Sequence, residues 1–175
     1  MKLLLKLQQL CLFVYLFSWM HDGYCQTYPN KPVKVISPFA AGGGLDVVLR
    51  PLLKKLTENT GQNFYIDNRS GANGIVGIEL GVKSAPDGYT LIGVTSGAIT
   101  INPSVYQKLP FDINRDLIPI SNIGRASFVM VVHPSIAANN VQEFITLLKN
   151  KPGQLPFGSP GIGGTNHLAA EYFLQ

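Results

Sequence analysis

A glycine-rich turn between a strand and a helix constrains this chain more than any other feature. The β-branched run 33–36 is followed by Ser37-Pro38-Phe39-Ala40-Ala41-Gly42-Gly43-Gly44-Leu45-Asp46, and a helical pattern begins near Asp46. Glycines adopt backbone conformations that other residues avoid, and they let a ligand approach the main chain closely. The first amides of a helix lack intrahelical partners and lie at the positive end of its dipole. The turn therefore predicts a site for a small anion.

Strands and helices alternate along the first part of the chain. The predicted elements are strands at Val33–Ser37, Phe64–Asp67 and Thr90–Thr95, with helices from near Asp46 to Gly61 and from Ile75 to Lys83. This order is typical of a parallel sheet covered by helices. Ligands of open α/β sheets bind beyond the carboxyl ends of the strands. We therefore expect Thr95 and Ser96, which begin a polar loop after the third strand, to lie at the same edge as the glycine turn.

A second α/β unit is predicted beyond Gly124, after a connection broken by prolines. Its predicted elements are strands at 128–133 and 157–159 and helices at 141–150, with Asn140 as N-cap, and from Thr165 onward. The segment Gly158-Ser159-Pro160-Gly161-Ile162-Gly163-Gly164-Thr165-Asn166-His167 is a second glycine turn between a strand and a helix. Two such turns in two units favour two lobes that face one ligand across a cleft. Two unrelated turns are the alternative.

The first 25 residues have the pattern of a secretory signal peptide. Two lysines precede the apolar run from Leu10 to Met20, and Gly23 and Cys25 supply small residues before a cleavage point. The run is shorter than the roughly 20 apolar residues of a membrane-spanning helix, and a signal anchor is the alternative. Cleavage would remove both cysteines of the chain, so the exported protein would contain no disulfide.

Composition and spacing argue against several other functions. The net charge is only +4 and the basic residues are scattered, so we expect no nucleic-acid partner. Neither glycine turn ends in the Gly-Lys-Ser/Thr of a P-loop, and no group of His, Asp and Glu has metal-ligand spacing, so we expect no cofactor and no metal. The nucleophile elbow G-x-S-x-G is nearly matched around Ser96 and Ser159. A serine esterase that uses either residue is therefore an alternative, and a standalone interaction domain is another.

Asp46 and His167 lie at the two predicted helix starts. Asp46 is either an N-cap or an acceptor that orients the turn or a bound water. His167 is a candidate for contact with a ligand, whereas His133 precedes a proline at a strand end and is expected to be packed or to cap. Neither turn contains Arg or Lys. Main-chain amides and bridging water would therefore have to supply the donors to an anion.

The sequence resembles the periplasmic solute receptors of tripartite tricarboxylate transporters, often called Bug-type receptors. The matching motifs occur in family order across the chain that follows the signal peptide. They are Tyr28-Pro29-x-Lys31-Pro32, Pro38-Phe39-x-Ala41-Gly42-Gly43-Gly44-x-Asp46, Asn68-Arg69-x-Gly71-Ala72, Pro86-Asp87-Gly88-Tyr89-Thr90-Leu91, Asn102-Pro103, Val132-His133-Pro134, Lys151-Pro152-Gly153 and Gly158-Ser159-x-Gly161-x-Gly163-x-x-x-His167-Leu168.

The resemblance implies an α/β, two-lobed, periplasmic-binding-protein-like (Venus flytrap) fold with parallel-rich sheets. Residues 1–25 would be the signal peptide, 26–124 the first lobe and 125–175 the start of an incomplete second lobe. The implied protein is a periplasmic, monomeric receptor and not an enzyme. It would carry a small carboxylate ligand to the membrane permease subunits of a tripartite tricarboxylate transporter.

By the same resemblance, main-chain amides and waters of the two turns hold the ligand's carboxylate. The ligand-binding candidates are Phe39, Ala41, Gly42, Gly43, Gly44, Asp46, Thr95, Ser96, Ser159, Gly161, Gly163, Thr165 and His167. Two residues depart from the family pattern. Leu45 replaces a small hydroxyl residue, and Pro160 follows Ser159 where a small flexible residue is common. Family members are also longer, so we expect this chain to be a truncated copy of such a receptor.

Overall fold

The computed structural model describes residues 27–159 and 161–175. The chain divides into two compact units, Met1–Asn30 and Lys31–Gln175. The elements described below all belong to the second unit. The predicted signal peptide lies outside the described residues. Within those residues, no helix combines the length and apolar character needed to cross a bilayer.

The regular structure begins with three α/β alternations and continues with helices alone. The described elements are, in chain order, β1 (Val33–Ser37), α1 (Gly44–Thr60), β2 (Phe64–Asn68), a 3₁₀ turn (Ala72–Gly74), α2 (Ile75–Val82), β3 (Thr90–Ile92), a π-helical turn (Gly97–Ile101), α3 (Asn102–Val105), α4 (Ile113–Asp116), α5 (Val141–Asn150) and α6 (Thr165–Leu174).

The three strands form a parallel sheet with β1 at its centre. The strand order is β2-β1-β3, and β1 pairs in parallel with both neighbours. Ser37, the last residue of β1, lies opposite Asn68, the last residue of β2. This confirms the predicted α/β class. Because the strands are parallel, the segments that follow them meet at one edge of the sheet.

Apolar side chains cover both faces of the sheet. On one face, Val35 of β1 packs with Leu49 and Leu53 of α1. On the other face, Ile78 of α2 packs with Ala98 and Phe111. Burial of these side chains is the main favourable term that holds the helices against the sheet. The glycine turn therefore follows a strand that is packed on both faces of the sheet.

Helix α1 has the ends that its glycines predict. It begins at Gly44, with Gly43 as N-cap, and it runs through Pro51. At its other end, Gly61 adopts the left-handed conformation with φ of 70°, and its N–H bonds to the carbonyl of Thr57 at 2.9 Å. This confirms the predicted C-cap. Of the two roles expected for Asp46, the N-cap is wrong, because Gly43, the residue that follows the left-handed Gly42, is the N-cap.

The part of the chain after β3 differs from the sequence prediction in three places. The segment 96–103, predicted as a polar loop, is helical from Gly97 onward. The predicted strands at 128–133 and 157–159 are wrong, because both segments lack an assigned strand in the structure. A β-branched run favours an extended backbone, but a strand also needs a neighbouring strand to bond. Within the described residues no strand follows Ile92.

The segment after Phe111 has almost no core of its own. None of the described residues between Phe111 and Gly163 is buried, and Val129 and Val131 are 79% and 83% exposed. Helix α5 nevertheless has its predicted N-cap, since the Asn140 side chain accepts the N–H of Glu143 at 2.9 Å. Phe144 of α5 stacks on Phe173 of α6 with ring centroids 6.3 Å apart. The division into lobes at residue 124 stays a prediction.

Candidate functional site

The first glycine turn, residues 39–46, has a defined hydrogen-bonded shape. The carbonyl of Ala40 accepts the N–H of Gly43 at 3.2 Å, and Gly42 between them has φ of 79°. These are the features of a type II β-turn, whose third position requires a positive φ and so favours glycine. Gly43 then adopts an extended conformation as the N-cap of α1. The turn therefore aims the start of α1 beyond the carboxyl end of β1.

The second glycine turn consists of residues 158–167, of which the structure describes all but Pro160. It repeats the geometry of the first turn. The carbonyl of Gly161 accepts the N–H of Gly164 at 3.2 Å, and Gly163 has φ of 77°. Gly164 is the extended N-cap of α6, with φ of −68° and ψ of 158°, close to −71° and 170° for Gly43. The predicted likeness of the two segments is confirmed at the level of their backbone conformation.

In each turn the first amides of a helix have no intrahelical hydrogen bond. The earliest intrahelical bond of α1 is donated by Val47 to Gly43, and that of α6 by Leu168 to Gly164. Three residues lie between each N-cap and the first donor. Within the described residues, the N–H groups of these residues make no hydrogen bond. These residues are Gly44, Leu45 and Asp46 in the first turn and Thr165, Asn166 and His167 in the second. Both helix starts can therefore donate hydrogen bonds to an anion.

The carboxylate of Asp46 stabilises the first turn from inside. Asp46 is only 2% exposed, and its side chain accepts the N–H of Gly42 at 2.9 Å. Arg50, one helical turn further on, donates from Nε at 2.7 Å and from Nη2 at 3.2 Å. Asp46 therefore acts as the acceptor that orients the turn, which was one of its two predicted roles. Direct contact between Asp46 and a ligand stays a prediction.

These hydrogen bonds keep Asp46 ionised over a wide pH range. The bonds from Arg50, first, and from the Gly42 amide hold the pKa of Asp46 at about 2, below its ordinary value of 3.8. A hydrogen bond to the charged form of a carboxyl group favours that form. The first turn therefore contains a permanent negative charge that Arg50 compensates.

A loop with left-handed residues links the segments that converge at this edge. Ala72 and Asn73 have φ of 45° and 51°, which non-glycine residues rarely adopt. Next to them, a Cβ at Gly74 would lie 3.4 Å from the ring of Phe39 in the first turn and 3.6 Å from Ala98. A Cβ at Gly164 would lie 3.1 Å from Oδ1 of Asn73. The loop 71–74 is thus in contact with the first turn, with the segment after β3 and with the second turn.

The second turn also contacts the segment after β3 directly. The Thr165 side chain lies against Gly97, so that a side chain at position 97 would collide with Oγ1 of Thr165. Nearby, the Tyr106 hydroxyl donates to the carbonyl of Ile162 at 3.4 Å. The segment that follows Thr95 and Ser96 therefore contacts the second turn through Gly97.

Other predicted site residues are engaged locally. The Ser159 hydroxyl bonds to the N–H and the carbonyl of Gly161, both at 3.2 Å. Thr95 Oγ1 accepts the N–H of Ala98 at 3.4 Å, and Ser96 is exposed. His167 lies beside Phe157, with ring centroids 5.9 Å apart, and its Nε2 is 3.7 Å from a carboxylate oxygen of Glu171. These side chains therefore order their own segments, and their contact with a ligand stays a prediction.

An open groove of about 400 Å³ lies elsewhere, beside α5. Its lining residues include Ala137, Gln142 and Leu147. None of the predicted site residues belongs to this lining. We assign the candidate site to the glycine turns and not to this groove, because the free helix-start amides are at the turns.

Four polar residues at the site were missing from the sequence prediction. Arg50 could have been found, because it stands four residues after Asp46 on the same helix face. Asn68 could have been found as the last residue of the second parallel strand. The Asn73–Asn102 pair could not have been found, since the 2.7 Å bond between their side chains depends on the left-handed backbone at Asn73.

Ser37, at the end of β1, is buried at the same edge of the sheet. Its hydroxyl has no hydrogen-bond partner among the described residues.

Residues 48–175 match TctC, the tripartite tricarboxylate transporter family receptor. The chain belongs to the TctC family. It is 35% identical over 148 residues to Protein BugT of Bordetella pertussis. This alignment covers 84% of the chain and 45% of BugT.

Solved structures of similar proteins share the fold. One, described as a periplasmic transporter, is 34% identical and superposes with a TM-score of 0.76 over 83% of this chain and 49% of that one. Another is an R. palustris protein with adipate, which is 29% identical and has a TM-score of 0.71 over 83% of this chain and 49% of that one. The α/β fold of periplasmic binding proteins is thereby confirmed for this TctC-family chain. The chain spans about half the length of the relatives that it matches.

Proposed function

We propose that this TctC-family chain captures a small carboxylate outside the cytoplasm for a tripartite tricarboxylate transporter. Family membership supports the receptor class. A similar solved protein is described with adipate, a dicarboxylate. The observation that carries the proposal is the pair of glycine turns, each of which ends in a helix start with three amides that have no partner among residues 27–159 and 161–175.

The donors of the two turns are sufficient in number for useful affinity. A hydrogen bond to a charged group contributes on the order of 1.5–3 kcal/mol. Loss of translational and rotational freedom on binding opposes this gain. Two or three such bonds from each turn would still be compatible with micromolar affinity, about −8 kcal/mol. A dicarboxylate suits this arrangement, because each carboxylate group could occupy one helix start.

The proposed partners and location follow the same interpretation. The receptor would act in the periplasm after removal of residues 1–25 and would deliver its ligand, as a monomer, to membrane permease subunits. Solved relatives are described as periplasmic, which supports the location. Fractionation of a bacterium that expresses the full chain, with mass measurement of the exported product, tests the location and the cleavage point together.

The esterase alternative has no support in the geometry. Ser159 is hydrogen bonded within its own turn, and Ser96 is exposed with no described bond to a histidine. Nδ1 of His133 bonds to Ser135, two residues away. A nucleophilic serine requires a base within hydrogen-bond reach. The matched family is described as a receptor family, and one similar solved protein as a periplasmic binding protein.

A thermal-shift panel with the full chain tests the proposal. The panel contains C4–C6 dicarboxylates, tricarboxylates, acidic amino acids and nicotinate, each paired with its neutral amide. We expect a saturable rise in Tm with at least one acid and no rise with the matching amide, since a ligand that binds only the folded state stabilises it. No rise with any acid would contradict the proposal.

A further inference from the structure

One amide group ties the two ends of the first glycine turn together. Nδ2 of Asn68 donates to the carbonyl of Phe39 at 3.1 Å and to Oδ1 of Asp46 at 3.2 Å. Phe39 begins the turn and Asp46 ends it. Asn68 itself is fixed at the end of β2, where it lies opposite Ser37 of β1. The Asn68 side chain therefore connects the turn to the rigid sheet edge at two points.

The turn also presents an electrostatic difficulty for an anionic ligand. The buried Asp46 carboxylate lies in the same first helical turn as the unengaged amides of Gly44 and Leu45. A like charge close to a bound carboxylate would oppose binding. The Arg50 guanidinium offsets the charge of Asp46, and the neutral Asn68 amide adds a hydrogen bond to the same carboxylate. The neighbouring charged side chains, Asp67 and Arg69, pair with each other at 2.8 Å.

We propose that Asn68 is a positioning residue of the carboxylate site. Through its two hydrogen bonds it holds the carbonyl of Phe39 and the carboxylate of Asp46 in place. The Gly42 N–H then stays bonded to Asp46. The amides of Gly44 and Leu45 remain available to a ligand. This proposal rests on the proposed function, because it assigns Asn68 a role in carboxylate binding.

The variant Asn68→Asp separates this role from simple packing. It preserves the shape of the side chain but replaces the donor with an oxygen that faces the Asp46 carboxylate and the Phe39 carbonyl. At about pH 7 the two carboxylates repel each other, and at lower pH one shared proton can restore a donor at position 68. The matched control is Asn63→Asp, which adds the same charge at an exposed residue just before β2.

The first measurement needs no ligand. Amide hydrogen exchange of the full chain reports whether the Gly42 N–H is protected, and the Val35 amide of β1 reports whether the sheet is folded. In Asn68→Asp we expect about tenfold faster Gly42 exchange at pH 7, with return towards wild type as the pH falls to about 4, because protonation of the pair restores the bond. Wild type and Asn63→Asp should keep Gly42 protected throughout. Equal Gly42 protection in wild type and Asn68→Asp would overturn the proposal.

The second measurement titrates adipate and succinate into the same proteins by calorimetry. We expect Asn68→Asp to weaken binding about tenfold at pH 7 and to regain affinity as the pH falls, whereas Asn63→Asp binds like wild type. Unchanged affinity in Asn68→Asp would overturn the proposal and leave the proposed function intact. If wild type binds neither acid and none of the thermal-shift panel, the proposed function fails, and the positioning role fails with it. If Asn68→Asp loses Val35 protection, Asn68→Ser and Asn68→Ala replace it in both measurements. Serine keeps a shorter donor and alanine keeps none. We therefore expect the Gly42 protection and the ligand affinity of Asn68→Ser to lie between those of wild type and Asn68→Ala.

Discussion

Gly42 and Gly163 adopt the same left-handed backbone conformation, with φ of 79° and 77°, although they belong to different turns. Each precedes a glycine N-cap, and each is followed by a helix whose first amides are unengaged within the described residues. Under the proposed function, each of these helix starts would hold one end of a dicarboxylate.

Replacement of Gly42 by alanine should weaken carboxylate binding, whereas a substitution with the same effect on stability elsewhere in the chain should not. A Cβ at Gly42 would meet no atom within 4 Å, so the substitution causes no clash. It lowers the free energy of unfolding by about 1 kcal/mol, because alanine disfavours the left-handed φ at this position. Gly61 at the other end of α1 is a matched control, since its φ is 70° and its Cβ would also meet no atom within 4 Å. Urea denaturation should give similar losses for both variants, but only Gly42→Ala should raise the Kd for the carboxylate. An equal Kd in the two variants would contradict a role for the first turn.

Asp46 should contribute stability at neutral pH that disappears in acid. Its pKa is lowered to about 2, so its contribution is complete above the ordinary value of 3.8 and is lost as the pH falls through about 2. We expect the urea midpoint of Asp46→Asn to lie below that of wild type from about pH 8 to pH 4 and to converge with it near pH 2. Glu58→Gln, at an exposed carboxylate that pairs with Lys55, should give little difference at any pH. A constant gap between wild type and Asp46→Asn down to pH 2 would refute the assignment.

The contact between Gly97 and Thr165 should appear as an energetic coupling. Alanine is normally favoured over glycine in a helical turn, but here its Cβ would collide with Oγ1 of Thr165. We expect Gly97→Ala to destabilise the chain by about 1–3 kcal/mol and to be better tolerated in the Thr165→Ala background. The control Gly124→Ala, whose Cβ meets no atom within 4 Å, should have no comparable effect. Additive effects of Gly97→Ala and Thr165→Ala in a double-mutant cycle would show that the two segments do not touch.

Removal of the Ser37 hydroxyl should stabilise the chain. This side chain is fully buried, and Oγ lacks a partner among the described residues. A buried polar group without a hydrogen bond opposes folding by about 1–3 kcal/mol. We expect Ser37→Ala to raise the free energy of unfolding by about 1 kcal/mol, whereas Ser70→Ala at an exposed site should change it little. A less stable Ser37→Ala would contradict this prediction, because it would mean that the hydroxyl makes a stabilising contact.

Local patterns in the sequence predicted much of the fold. The alternation of β1, α1, β2, α2 and β3 follows from apolar periodicity and from glycine punctuation, which act over a few residues. The cap at Asn140 and the left-handed end at Gly61 follow from the chemistry of single side chains. The likeness of the two glycine turns could also be predicted, because a positive φ before a helix nearly dictates glycine.

The remaining features depend on contacts between distant residues. The run 128–133 has the composition of a strand, but pairing requires a neighbour that the run itself does not specify. The bridge from Asn68 to Phe39 and Asp46 exists only because β1 and β2 end side by side. The Asn73–Asn102 pair needs an unusual backbone at Asn73. Sequence periodicity contains little information about such contacts.

The most direct test follows the six helix-start amides during a titration. Amide proton–nitrogen NMR spectra of the full chain would be recorded with increasing adipate, and with adipamide as the neutral control. We predict saturable downfield shifts at Gly44, Leu45, Asp46, Thr165, Asn166 and His167 with one common Kd, because both turns would donate to one dianion. Adipate binding that moves other amides and leaves both helix starts unchanged would contradict the account.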